Sequence, residues 1–476
     1  MSHYNTISKQ IKYAPKEETI LLFGGLTPGR EKLLQAAAAS LKEYYTPLPN
    51  TDNRAFELGK IYGNKGQCNP TYFTVGNLIK YLIYLRDEKK IPTQEIIRKY
   101  VHVTVSGCGP CRFGMYITEY KKALRDAGFD GFRVVSFEHN KSPFQEATEE
   151  VVKFSPKFFI ILIKTTLIAD ILDILGYQMR PYEIKKGSVD LALNRCEEIV
   201  IDALNNKKSL IKALNRCKKI LQKVELNRVK IKPKVMVMGE FWAAMTNSDG
   251  NYHLHRFLEE QGAEVIPQPL INRILLNVWE AEYLTNIYWG LNSKKMVDFS
   301  DAKKKLLIVL AKKAIHWQFR VYAKAIGLNG YKLADMDHLY ELGKRYYNPD
   351  SNGGEGHLEV AHLIEAIENK LAHLVISVKP FGCMPSSAVS DGVQSLITAK
   401  FPEANFLSVE TSGDGAVNFY SRVQMALFKA KEMAKDEVKE FKSAKKVPSF
   451  VNRYNFYPKS SIISTGGKIL DFLNRV

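Results

Sequence analysis

Short apolar runs that end in glycine or cysteine loops and then give way to helical spacing recur along this chain, and that alternation constrains its fold more than any other feature. ETILLFGG (18–25) reads as a buried strand entering a Gly-rich turn, GGLTPGRE, and EKLLQAAAASLKEYY then has helical spacing and strong helix formers. YVHVTVSG (100–107) and GFRVVSFEH (131–139) read as further strands, with the helical run MYITEYKKALRDAG between them. Strand–helix–strand alternation implies a parallel sheet with helices on its faces. In such sheets ligands bind beyond the C-terminal ends of the strands. A second unit of the same design starts at KPKVMVMGEFW (232–242). It continues through the helix, turn and strand of NYHLHRFLEEQGAEVIPQP, and holds strands in AHLVISVKPFGC (372–383) and EANFLSVETSGDG (403–415).

At 476 residues the chain is too long for one ordinary core. The expected fold is α/β: two Rossmann-like parallel-sheet domains with a helical insert and a cofactor site between them. The boundaries read as 15–155 for the first α/β domain, 156–231 for the helical region, 232–430 for the second α/β domain, and 431–476 for a basic helix and tail. The helical region holds an internal echo, LALNRCEEI (191–199) against KALNRCKKI (212–220), which sets Cys196 and Cys217 21 residues apart. That is close to six helical turns. Charged neighbours and the lack of Gly or Pro mark both as semi-buried structural cysteines.

The net charge of +18, from 68 Lys+Arg against 50 Asp+Glu, attracts polyanions without choosing among them. A salt-dependent nucleic-acid binder with structural zinc is the weakest reading. The longest apolar candidates, FFIILI (158–163) and LLIVLA (306–311), fall far short of the roughly 20 residues that span a bilayer. No membrane partner is expected. The first residues lack a signal-peptide core, so the expected address is cytoplasmic, where cysteines bind metal, act in catalysis or stay idle.

Four of the six cysteines lie on loops beside Gly or Pro: Cys68 in GQCNPTYFTVG, Cys108 and Cys111 in SGCGPCRFGMY, and Cys383 in VKPFGCMPSS. Soft thiolates converging from several segments suit an iron–sulfur cluster, and the Gly and Pro neighbours let the backbone approach it. CGPC is also a dithiol–disulfide exchange motif, although Gly107 stands where such domains usually carry Trp. A structural zinc site normally shows two close cysteine pairs, and only one is present. All three chemistries stay open on the residues alone.

Several stretches together resemble the 2-hydroxyacyl-CoA dehydratase family and the related C-terminal regions of its large activase-like relatives. They are LLFGGLTPG, CNP with TVGNLIKYL, SGCGPCRFGMY, VMGEFW with FLEEQGAEV, NGGEGHLE, VKPFGCMPSS and VETSGDGAVNFYSRVQMAL, and they span roughly 15–430. PFGCMPS and GPCRFGMY are the most specific. The resemblance implies two α/β domains around a [4Fe–4S] cluster held by Cys68, Cys383 and one of the CGPC pair, with one iron open. It also implies an ATP-dependent iron–sulfur activator as electron donor, an acyl-CoA substrate, and either a second similar subunit or a homodimer. The chain departs from that pattern in carrying both Cys108 and Cys111. Four thiolates would close the cluster and favour a non-catalytic electron-transfer or partner subunit. A double cubane needs six cysteines, and Cys196 and Cys217 are poorly set for it.

Among other polar residues, Glu355 in NGGEGH lies in a Gly-rich loop and is the candidate catalytic acid, a turn or cap being its alternative. His357 beside it is a candidate proton donor or a structural histidine. Glu240 lines the domain cleft or caps the next helix. Glu410 and Asp414 in VETSGDG are equally ambiguous, Arg112 steadies cluster charge or forms a salt bridge, and Ser386 and Ser387 cap the helix after PFGCMP. GGLTPG matches neither the Walker pattern nor GxGxxG. The expected function is an oxygen-sensitive dehydratase or reductase component that takes energised electrons and reduces or dehydrates a bound substrate.

Overall fold

Both expected sheets form, and both are covered by helices, which is why their strands are apolar on both faces. The computed structural model describes residues 11–25, 30–106, 111–138, 155–228, 230–291, 299–328, 331–348, 350 and 354–444. The first sheet runs β2-β1-β3-β4, with β1 Ile20–Phe23, β2 Tyr45–Pro47, β3 Tyr100–Ser106 and β4 Arg133–Glu138. The second runs β6-β5-β7-β8, with β5 Lys234–Gly239, β6 Glu264–Ile266, β7 Leu374–Pro380 and β8 Phe406–Thr411. Every pairing is parallel; Leu21 stands opposite Tyr45 and Val101, and Val235 opposite Val265 and Leu374. In each sheet the strand order reverses at the first strand, beside β1 and β3 or beside β5 and β7. Those switch points open a crevice at the C-terminal edge.

The N-terminal unit departs from expectation at its first helix. Helical spacing continues to Tyr45 in the sequence, but the helix Arg30–Ala39 stops six residues earlier. Lys42 takes a left-handed backbone conformation (φ 63°), and Tyr45 enters β2, where it packs against Phe23 and Phe158. Helical spacing cannot register this, because the packing of Tyr45 on Phe23 and on Phe158 of a distant helix decides it.

The region after residue 155 is helical: Pro156–Met179, Ser188–Asn205 and Leu210–Leu221. Cys196 and Cys217 lie on two separate helices instead of along one, because the chain turns at Lys207 (φ 52°). Each thiol faces the other residue's carbonyl, at 3.8 and 3.6 Å, and both are fully buried, deeper than their charged neighbours suggested. A second helical excursion went unread in the sequence. Leu270–Leu291, Phe299–Ile326 and Met336–Gly343 stand between β6 and β7. They share one core with the first excursion, in which Ile171, Cys196 and Leu214 meet Ile271, Phe319 and Leu339. Ala416–Ala444 is a single helix running across residue 430, and it packs Phe419, Val423 and Leu427 on the second sheet. The CGPC cysteine Cys108 and the tail from 445 lie outside the described residues. Among the described residues no helix is long and apolar enough to cross a membrane.

The two sheets are joined by the helices Asn53–Tyr62 and Asn69–Asp87. Phe56, Tyr72 and Phe73 of these helices enter the core of the second unit, where the Phe73 ring lies 5.3 Å from that of Trp242. Thr51 Oγ1 meets Ser248 Oγ at 2.8 Å, and Asn69 Nδ2 donates to Thr411 O at 2.7 Å.

Candidate functional site

Cys68 is the residue before the helix Asn69–Asp87, whose early Pro70 suits a first helical turn that has no use for its N–H. The loop leading to it is tied down by a buried acid. Glu119 accepts from Asn64 N (3.1 Å), Asn64 Nδ2 (2.7 Å) and Gln67 Nε2 (3.1 Å). The Tyr72 hydroxyl accepts from Gln67 N at 3.1 Å. The Cys68 thiol is thereby set 3.2 Å from Thr71 Oγ1 and 3.1 Å from the Tyr116 hydroxyl.

Cys383 comes from the other sheet, in the turn after β7. Asn69 N donates to Phe381 O at 3.1 Å, so the two cysteine loops touch through their backbones. Gly382 permits the approach: it has φ +77°, and a Cβ there would lie 3.2 Å from Cys68 Cα. Cys111 arrives from the first sheet, after β3, and opens the short 3₁₀ turn Arg112–Met115. Arg112 Nη1 donates to Gly66 O, which pins this turn to the Cys68 loop. Burial pushes the Cys111 thiol up to about 11, with Glu240 and Cys68 adding to the rise. Burial and Glu240 likewise push the Cys383 thiol well above its usual range. Three of the four sequence-predicted cysteines thus come from three loops toward the same edge of the two sheets.

Beside them stand three buried carboxylates. Glu240 follows β5 and takes the capping role: its side chain accepts from Ala243 N at 2.9 Å, and its charge raises the thiols of Cys111 and Cys383. Burial, then the charge of Glu355, raises its pKa to about 7. Glu355 is also raised by burial, and Arg273 Nη1 donates to its Oε1 at 3.1 Å. Glu359, one helical turn on, is raised to about 8 by burial. Its Oε1 accepts from Ser386 Oγ at 2.7 Å, while its Oε2 has no hydrogen-bond partner among the described residues. Cys383 Sγ in turn lies 3.4 Å from Ser386 Oγ. Carboxyls held near 7–8 exchange protons readily at neutral pH, which is what a general acid requires.

Other expectations need correction. Ser386 lies inside the helix Met384–Ala388 and uses its hydroxyl on Glu359 instead of capping. His357 is held neutral, with burial lowering its pKa to about 4, so it is a poor proton donor near pH 7. Glu410 and Asp414 are exposed. Glu359, Arg273 and Glu119 were missed. The pair Glu355 and Glu359 was legible as two acids one turn apart, whereas nothing in the sequence marks Arg273. A separate cavity of about 250 Å³, lined by Tyr177, Arg180, Asp190 and Glu259 among others, lies away from the thiols.

Among the described residues no three His, Cys, Asp or Glu side chains close on a single metal ion. The donor set still suits a polynuclear group. A cluster takes one thiolate per iron, so its ligands stand wider apart than those of one ion. Burial also keeps Cys111 and Cys383 neutral until a cation ionises them. Compared with protein-family models and with curated proteins, the chain matches none.

Proposed function

We propose that this chain is an iron–sulfur protein of the 2-hydroxyacyl-CoA dehydratase type, which takes low-potential electrons from an ATP-dependent partner and uses them to reduce or dehydrate a substrate in the crevice between its sheets. The observation that carries this reading is the meeting of the Cys68, Cys111 and Cys383 loops at the C-terminal edges of both sheets, beside Glu240. Cys68, Cys111 and Cys383 would hold the group, with Cys108 as a further candidate. When bound, a [4Fe–4S] cluster supplies one-electron chemistry at low potential.

The chain's own residues do the rest. Glu240 and Glu359 hold protons on buried carboxyls, and Arg273 fixes the orientation of Glu355. Phe73 and Trp242 close the apolar wall where the units join, which keeps water out of that side. A bare electron carrier has no use for three acids buried at such cost, and their presence favours a substrate-reducing enzyme over a partner subunit.

The test is iron and acid-labile sulfide per chain in protein purified without oxygen, with an EPR spectrum after dithionite reduction. About four of each are expected, lost in Cys68→Ala and in Cys383→Ala. Zinc, or no metal at all, would overturn the reading and leave CGPC as a dithiol or structural site.

A further inference from the structure

The helix Phe299–Ile326 has one face in the helical core and another that stays exposed among the described residues. Ile315, Phe319, Tyr322 and Ile326 are buried, and Lys312 anchors the helix to Glu282 (2.7 Å) and Asp337 (2.9 Å). On the other side Leu306 is 59% exposed, Leu307 57%, Leu310 52% and Trp317 62%. At 100° per residue, Leu306, Leu310, Ala314 and Trp317 fall on one stripe, with Leu307 and Ala311 beside it. Lys313 and Arg320 flank the stripe on one side and Lys304 on the other, with Lys303 and Lys324 near its ends; all five are exposed. Among the described exposed side chains of this helix none is acidic. From Lys303 to Lys324 the face is about 32 Å long.

We propose that this face docks on the surface of an anionic phospholipid bilayer. The helix would lie in the headgroup plane, with Leu306, Leu310 and Trp317 in the acyl boundary and the flanking Lys and Arg on the phosphates. A single convex helix with cations along both borders of an apolar stripe matches a flat field of negative charge. A second copy of this chain does not, because five cations would meet five, on molecules that each carry +18. The expectation of no membrane partner rested on the lack of a spanning segment, and a peripheral contact needs none. This inference is independent of the proposed cluster.

The experiment is cosedimentation of the whole protein with vesicles of equimolar phosphatidylglycerol and phosphatidylcholine, and with phosphatidylcholine alone, across a range of NaCl. Binding is expected to the anionic vesicles only and to weaken as salt rises. Lys303→Gln/Lys304→Gln/Lys313→Gln lowers partitioning about a hundredfold. Leu306→Ser/Leu310→Ser, at exposed positions that leave the core intact, lowers it about tenfold. The blue shift of tryptophan emission on binding is lost in Trp317→Phe. No binding to anionic vesicles overturns the proposal, as does binding unchanged by Leu306→Ser/Leu310→Ser. Capture of polyglutamate with no vesicle binding assigns the face to an acidic protein and overturns it equally.

Discussion

Glu359 is buried with one oxygen on Ser386 and the other without a hydrogen bond among the described residues, and burial holds its pKa at about 8. The unfolded chain releases this proton near the ordinary glutamate value of 4.5. Between those two values the folded state binds the extra proton, so stability falls as pH rises through the window. In metal-free protein, Glu359→Gln keeps the acceptor for Ser386 and removes the charge. The variant should lie close to wild type near pH 5 and exceed it at pH 9 by about 3–5 kcal/mol. Urea midpoints across pH measure this, and equal slopes for the two proteins would mean that Glu359 is ionised throughout. Glu240, raised to about 7, leaves a shallower fall of the same sign in the variant. The cysteines were legible because Gly and Pro beside them announce a loop that can approach a bulky group. Glu359 and Arg273 were not, since a helical Glu or Arg looks like a solvated one until the fold covers it. Glu119 is hidden for the same reason, on an amphipathic helix whose partners lie 52 to 55 residues away.

Among elements, the helix pair Asn53–Tyr62 and Asn69–Asp87 does most to place Cys68. The two helices meet backbone to backbone: a Cβ on Gly59 would lie 1.9 Å from Tyr72 O, and one on Gly76 1.8 Å from Ala55 O. No side chain fits either gap, so a methyl group must push the helices apart. Gly76→Ala should cost about 3 kcal/mol or more, beyond the gain in helix propensity. Because Cys68 precedes the displaced helix, the same variant should lose iron along with stability. Gly128→Ala, at a turn (φ +85°) with open space around its Cβ, is the control for backbone strain alone and should keep its iron. Equal iron retention in both variants would sink the placing role of the pair. Alternation exposed seven of the eight strands in outline, since apolar runs bounded by turns admit few other readings. The three-residue β2 is too short to show a period, and the helices at 270–343 went unread, with nothing local to say what they pack on.

At the scale of the molecule, the crevice depends on the two units being held together, and one aromatic cluster contributes to that join. The Phe73 ring lies 4.8 Å from Phe56 and 5.3 Å from Trp242, and all three side chains sit in the core of the second unit. Phe73→Ala removes the centre of this cluster and should cost about 3–5 kcal/mol. Leu214→Ala, in the helical layer, should cost a comparable about 2–5 kcal/mol without touching the join. The two losses should differ in form. With the join intact the units unfold together, so Leu214→Ala moves a single calorimetric transition downward. With the join weakened each unit follows its own core, and Phe73→Ala should split the transition into two. Iron should follow the same division, kept in Leu214→Ala and lost in Phe73→Ala, because the Cys68 and Cys383 loops touch only while the units are held together. A single shifted transition and full iron content in Phe73→Ala would show that the loops, through Asn69 and Phe381, hold the crevice without the aromatic wall.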